Sequence, residues 1–285
     1  MITRLLASQF FAFLLGNIIF INGAFASPSE DGAIYDVFNR LIYYPGKIET
    51  ACPTPTDKVG TILVIGQSNA SNSGEKKFVT KYPTKVFNYF NGKCYVASSP
   101  LLGTDGNLGE FMTPLADHLI EDGVYDSVLI IASSIGGSPV RYWQKGGYLN
   151  DMLLTVLEDA SRMYKITEII WHQGEADFYY KTTKEQYLEG LHSVIDSIRG
   201  AGTNEPPFYF SISTYCGYSD WTPENPIAEA QRNFEDSTKK IFLGADTDSL
   251  VSDAERFDHC HFKESGQLKT ARAYATAIHQ HKQFS

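Results

Sequence analysis

Short, unbroken apolar runs alternate along this chain with stretches of helical periodicity, and few folds can use such a pattern. The runs at 61–65 (TILVI), 85–90, 127–132 (SVLIIA), 168–171 (EIIW), 208–213 and 241–243 read as strands. Residues 108–120, 149–164, 184–198, 227–238 and 266–279 carry apolar residues at helical spacing. A strand that is apolar at every position has no face for water and must be covered on both sides. Strands separated by helices are joined by crossovers and run parallel. The pattern predicts one α/β domain over 58–285, a three-layer sandwich around a central parallel sheet. Ligands of such sheets bind beyond the carboxyl ends of the strands, so chemistry is to be sought there.

The first residues set an expectation of export. Arg4 is followed by an apolar run through residue 21, and Ala24-Phe25-Ala26 has the small-x-small form of a signal-peptidase site. A signal peptide over 1–26 is expected, with cleavage before Ser27 and a secreted or periplasmic product. A membrane anchor is the competing reading of that run; no later segment is apolar enough to cross a bilayer. Residues 27–57, with Pro28, Pro45, Pro53 and Pro55, read as an irregular entry segment. The formal charge is −9 on the whole chain and one more negative without Arg4. That balance argues against nucleic acid and anionic membranes as partners, because both require a basic surface. Cys52, Cys94, Cys216 and Cys260 all lie in the exported part. An even number in an oxidising compartment suggests two disulfides, with three connectivities open.

The segments after the strands are polar and glycine-rich where a core explanation would need apolar residues. Gly66-Gln67-Ser68-Asn69-Ala70 follows the first strand, and Ser133-Ser134-Ile135-Gly136-Gly137-Ser138 follows the SVLIIA strand. His172-Gln173-Gly174-Glu175-Ala176-Asp177 follows EIIW, and Asp258-His259-Cys260-His261 precedes the last helix. Serine becomes a nucleophile when a base takes its proton and a carboxylate fixes the tautomer of that base. Ser68 at a strand exit, with Asp258 and His261 three residues apart, supplies all three parts. Each alone has a bland reading, Ser68 as a helix cap and Asp258 as a turn cap. No P-loop or G-x-G-x-x-G occurs, so no cofactor is expected. The histidines lack metal-ligand spacing, so no metal site is expected, and the absence of G-x-S-x-G disfavours an α/β-hydrolase.

The order GQSN, glycine-rich segment, WHQGEAD, then D-x-x-H resembles the SGNH (GDSL-like) hydrolases. It is most similar to their branch of sialate O-acetylesterases and acetylxylan esterases of carbohydrate esterase family six, over about residues 58–280. The resemblance implies a flavodoxin-like SGNH fold and a triad of Ser68, Asp258 and His261. It implies an oxyanion hole from the Ser68 N–H, the Gln173 amide and a glycine N–H, with Gly109 preferred and Gly106 the alternative. The segment from Ile135 to Trp143 is similar to the family's glycine-rich stretch beside the substrate. Arg141, Trp143 and Glu175 are candidate substrate contacts, with Trp143 alternatively packing the rim of the core and Glu175 and Asp177 alternatively organising the Gln173 loop or facing solvent.

The expected activity is removal of acetyl, or another short acyl group, from an acetylated carbohydrate through an acyl-enzyme on Ser68. The alternatives are a secreted lipase or acyltransferase of the same fold, or a relative that binds carbohydrate without catalysis. Cys216 follows the 208–213 strand at the edge where the site is expected, and Cys260 lies between Asp258 and His261. A Cys216–Cys260 bond would hold that loop against the sheet, which leaves Cys52 to pair with Cys94.

Overall fold

The computed structural model describes residues 29–203 and 205–282, so the expected signal peptide and its cleavage site lie outside the described residues. In chain order the strands are β1 Ile34–Tyr35, β2 Leu41–Tyr43, β3 Glu49–Thr50, β4 Val59–Gly66, β5 Val86–Phe90, β6 Lys93–Val96, β7 Ser127–Ala132, β8 Glu168–His172, β9 Phe208–Ile212 and β10 Ile241–Asp246. The helices are α1 Met112–Glu121, α2 Val140–Trp143, α3 Asn150–Ser161, α4 Glu175–Tyr179, α5 Lys184–Gly200, α6 Pro226–Arg232, α7 Thr247–Leu250 and α8 Glu264–Lys282.

Every residue of β4 is buried, and its successive side chains enter opposite layers. Ile62 and Val64 pack with Leu115 and Leu119 of α1 and with Tyr274 and Ile278 of α8. Leu63 and Ile65 pack in the other layer, with Leu153 of α3 and with Leu191 and Val194 of α5. Each such aliphatic side chain contributes about 1.5–3 kcal/mol by leaving water, which is why the sheet is covered on both faces. The sheet order is β10-β9-β8-β4-β7-β5-β6-β3. Strands β7, β4, β8, β9 and β10 are parallel neighbours in the flavodoxin-like order 2-1-3-4-5. The chain reverses direction across the sheet at β4, which opens a crevice at its carboxyl end.

The sheet is mixed rather than wholly parallel. Strand β5 is parallel to β7, but β6 returns antiparallel to β5 through Asn91-Gly92, both at positive φ (48° and 75°). That dipeptide is the strongest short hairpin signal in a sequence, and it lies in plain view here. Strand β3 adds to β6 from the entry segment, which also carries the small β1–β2 hairpin. Three helices, α1, α3 and α6, are shorter than periodicity suggests. Helix α1 starts at Met112 because residues 106–109 lie along residues 72–74 and the Glu110 carboxylate accepts the N–H of Thr113. Helix α6 ends at Arg232 because Asp236 caps a separate 3-10 turn, accepting from Thr238 and Lys239. Cys52 is bonded to Cys94 and Cys216 to Cys260. Among the described residues no helix is long and apolar enough to cross a membrane.

Candidate active site

The exit of β4 is shaped by a close approach. Gly66 has φ +137°, and a β-carbon there would stand 2.1 Å from the His172 carbonyl oxygen. Only glycine lets β4 turn away from β8 at this point. The Gln67 side chain then points inward and accepts the N–H of Ala176 at 3.0 Å, while the half-exposed Ser68 opens a 3-10 turn through the buried Asn69 and Ala70. A β-carbon on Gly136, after β7, would lie 3.8 Å from the Ser68 β-carbon and 2.7 Å from Asp105 Oδ2. The exits of β4 and β7 therefore meet at Ser68, and the exit of β8 lies against its neighbours Gly66 and Gln67.

The loop before α8 closes on itself, with the Phe257 N–H donating to the His261 carbonyl at 3.0 Å. Asp258 Oδ1 accepts the N–H groups of Cys260 (3.0 Å) and His261 (2.7 Å), and its Oδ2 lies 2.6 Å from His261 Nδ1. Burial by itself would raise the Asp258 carboxyl; the hydrogen bonds from the His261 ring and from these backbone groups outweigh it and hold it at about 2. The His261 ring stacks at 5.9 Å on the half-exposed Phe257. Asn69 joins this loop to the serine turn, since its Nδ2 donates to the Cys260 carbonyl at 3.3 Å and to Glu175 Oε1 at 2.9 Å. His259 stands apart, exposed and paired with Asp253 at 3.0 Å.

Several residues singled out in the sequence are placed otherwise. Trp143 is fully buried, edge-on to Trp171, with its indole N–H donated to Ser138 Oγ at 2.8 Å; it packs the core and does not face a substrate. Glu175 is buried against Asn69 and is not a surface contact either. The Gly109 N–H is donated to the Gly74 carbonyl at 2.8 Å, and its missing side chain makes room for the Lys76 carbonyl, so the preference for Gly109 is corrected. Gly106 pairs with Asn72, nearer Ser68 in the chain, and its N–H meets Asp105 Oδ1 at 2.6 Å. Gln173 has no exposed surface, and its amide nitrogen contacts Asp177 Oδ2 (2.5 Å), the Ser138 carbonyl (3.2 Å) and Gln67 Oε1 (3.4 Å). Arg141 is exposed on α2, its guanidinium 5.0 Å from the ring of Tyr142 and 4.7 Å from that of Tyr180.

Three residues of this site had no role in the sequence reading. Asp105 accepts from Gly106, from Gly136 (2.9 Å) and from Asn39 Nδ2 (2.6 Å). Asn69 was legible as the last residue of GQSN, whereas Arg256 carries no signal beyond lying two residues before Asp258. Among the described residues, no three His, Cys, Asp or Glu side chains are grouped to hold a metal.

Residues 58–280 match a family model described as carbohydrate esterase, sialic acid-specific acetylesterase. Comparison with curated proteins gives no match. Among solved structures, a protein from Arabidopsis thaliana is 16% identical, with a TM-score of 0.58 over 77% of this chain and 97% of its own. NanS is 16% identical, with a TM-score of 0.56 over 82% of this chain and all of its own. The family 3 carbohydrate esterase of Clostridium thermocellum is 12% identical, with a TM-score of 0.51 over 80% and 98%. At these identities the structures speak for the fold, and the family model speaks for the family. The chain belongs to the sialic acid-specific acetylesterase family of carbohydrate esterases.

Proposed function

We propose that this protein is an exported serine esterase that removes acetyl groups from a carbohydrate through an acyl-enzyme on Ser68. The observation that carries the reading is the 2.6 Å contact of Asp258 Oδ2 with His261 Nδ1, in a loop held by the neighbour of Ser68. With Nδ1 committed to a carboxylate, Nε2 is the ring nitrogen left to act as base. As Ser68 Oγ bonds to the ester carbonyl carbon, its proton passes to Nε2 and the carbonyl π electrons move onto oxygen. Collapse breaks the bond to the sugar oxygen, which takes the proton from His261. Water then repeats the sequence on the acyl-serine, releasing acetate and restoring Ser68.

The negative oxygen needs donors that are already in place; losing one typically costs about 10²–10³ in rate. The N–H groups of Gly106 and Gly136 lie beside Ser68 and are both donated to the Asp105 carboxylate. On this reading the ester oxygen meets the Ser68 N–H, and the N–H groups of Gly106 and Gly136 join it only where Asp105 gives them up. Gln173 contributes from behind, holding Gln67 and the Ser138 segment.

Arg141 points to the sugar. Its planar guanidinium lies against two tyrosine rings, and its N–H groups suit a carboxylate, such as that of an acidic sugar. Arg141→Ala is expected to raise KM for an O-acetylated sialic acid at least tenfold and to leave KM for acetylated xylan within twofold. Equal changes for both substrates would remove Arg141 from recognition.

Hydrolysis of p-nitrophenyl acetate, compared with Ser68→Ala and His261→Ala, tests the chemistry. Both variants should lose at least about 10³-fold in kcat with unchanged melting temperature. Wild-type turnover by Ser68→Ala would overturn the proposal. A series from acetate to palmitate that peaked at long chains would favour the lipase alternative.

A further inference from the structure

We infer that Asn69 and Arg256 are positioning residues, which together set the distance between nucleophile and base by gripping a single carbonyl, that of Cys260. The inference rests on the serine-esterase reading above and goes beyond it to residues that touch neither substrate nor reacting atoms.

The peptide between Cys260 and His261 carries two polar groups, and both are anchored. Its N–H, on His261, donates to Asp258 Oδ1 at 2.7 Å. Its carbonyl oxygen accepts from Arg256 Nη1 at 2.6 Å and from Asn69 Nδ2 at 3.3 Å. A carbonyl has two lone pairs, so this oxygen is saturated and the peptide plane cannot rotate without losing a hydrogen bond in a buried place. The plane sets where the Cα–Cβ bond of His261 points, and the Asp258 contact then sets the ring. Asn69 is adjacent to Ser68, so one side chain links the backbone of the nucleophile to the backbone of the base.

Both grips are themselves held. The same Asn69 Nδ2 also donates to Glu175 Oε1 at 2.9 Å, which fixes the amide. Arg256 is only 3% exposed and lies between the rings of Tyr215 (5.0 Å) and Phe262 (4.9 Å). Its Nη2 donates to the Thr247 carbonyl at 3.2 Å. A buried guanidinium is tolerated when countercharge is near, and the buried carboxylates of Glu175 and Asp248 supply it. The Cys216–Cys260 bond ties the same residue to the sheet edge covalently. Such convergence on one peptide exceeds what closing a surface loop requires.

The test compares Asn69→Ala, Arg256→Lys and Ser68→Ala in the full chain. Displacements of about 1 Å at a base lower turnover by about 10²-fold, so Asn69→Ala should lower kcat by about ten- to a hundredfold. Its KM should stay within twofold, and the downfield proton resonance of the Asp258–His261 hydrogen bond should broaden or shift. Arg256→Lys, which keeps a cation and a donor, should retain more activity than Arg256→Ala. A folded Asn69→Ala with kcat within twofold of wild type and an unchanged resonance would overturn the inference, as would a loss confined to KM. Failure of the esterase reading shows separately, because Ser68→Ala would then stay active.

Discussion

Gly66 of β4 lies directly against His172 of β8, so close that a β-carbon on the glycine would stand 2.1 Å from the histidine carbonyl oxygen. The obstacle is backbone, which cannot swing aside. Gly66→Ala is therefore expected to cost at least about 3 kcal/mol or to abolish folding. Gly137 is the comparison: it also has positive φ, though 64° rather than 137°, and nothing lies within 4 Å of its missing side chain. Gly137→Ala should cost only about 1–2 kcal/mol. Urea denaturation of the two variants decides; equal losses would show that φ, not proximity, governs Gly66.

Asp258 is held at about 2, below the ordinary aspartate value. The sign follows from linkage: a depressed carboxyl stabilises the fold fully above its unfolded value of about 3.9, and the effect is lost as pH falls through about 2. Loss of activity on acidification to pH 4 should therefore leave the Asp258 carboxylate ionised. Asp258→Asn should lower kcat by about 10³–10⁴-fold, because the amide no longer fixes the tautomer or balances the imidazolium. A pH series of kcat on wild type and variant checks both statements. Similar turnover by the two proteins would detach Asp258 from the base.

His172 behaves in the opposite sense to a surface histidine. Burial, assisted by the nearby Arg256 cation, lowers it to about 3, while Nδ1 lies 3.3 Å from Tyr274 Oη and Nε2 lies 3.1 Å from Ser213 Oγ. The unfolded chain takes up the proton near pH 6.5 and the folded chain does not until about pH 3, so stability falls as pH drops through that window. The full effect is of order several kcal/mol. His172→Gln, which keeps the polar contacts without the proton, should flatten the dependence of the urea midpoint on pH between 6.5 and 3. A slope unchanged in the variant would place the acid sensitivity elsewhere.

Cys216 and Cys260 are 44 residues apart in sequence. Closing a loop of that length restricts the unfolded chain by about 4 kcal/mol in the entropy model, and here it also anchors the residue between Asp258 and His261. Cys260→Ser should lower kcat at temperatures well below its melting point, whereas opening Cys52–Cys94 should lower stability with kcat unchanged. Peptide mapping without reduction should recover the pairs Cys52–Cys94 and Cys216–Cys260. A Cys52–Cys216 peptide would contradict this arrangement.

The sequence by itself determined the layers, because apolar periodicity is local. A run such as 61–65 has nowhere to go but between two covers, and six such runs separated by helices prescribe a largely parallel α/β sheet. It also determined which segments stand at strand ends, since GQSN and HQGE interrupt apolar stretches with groups that a core rejects, and it set D-x-x-H just before the last helix. Tertiary structure alone decided what those groups touch. Trp143 and Glu175 look like surface chemistry in one dimension, yet they are buried by Trp171 and by Asn69, partners 28 and 106 residues away. Gly106 and Gly109 are indistinguishable by composition, and only the lie of residues 72–76 spends the N–H of Gly109 on Gly74. Arg256 carries no signal at all until the chain folds Cys260, Thr247 and two carboxylates around it. Hydrophobic pattern repeats along the chain and can be read there, whereas a hydrogen bond depends on position to within a fraction of an ångström, which is fixed only once distant segments have packed.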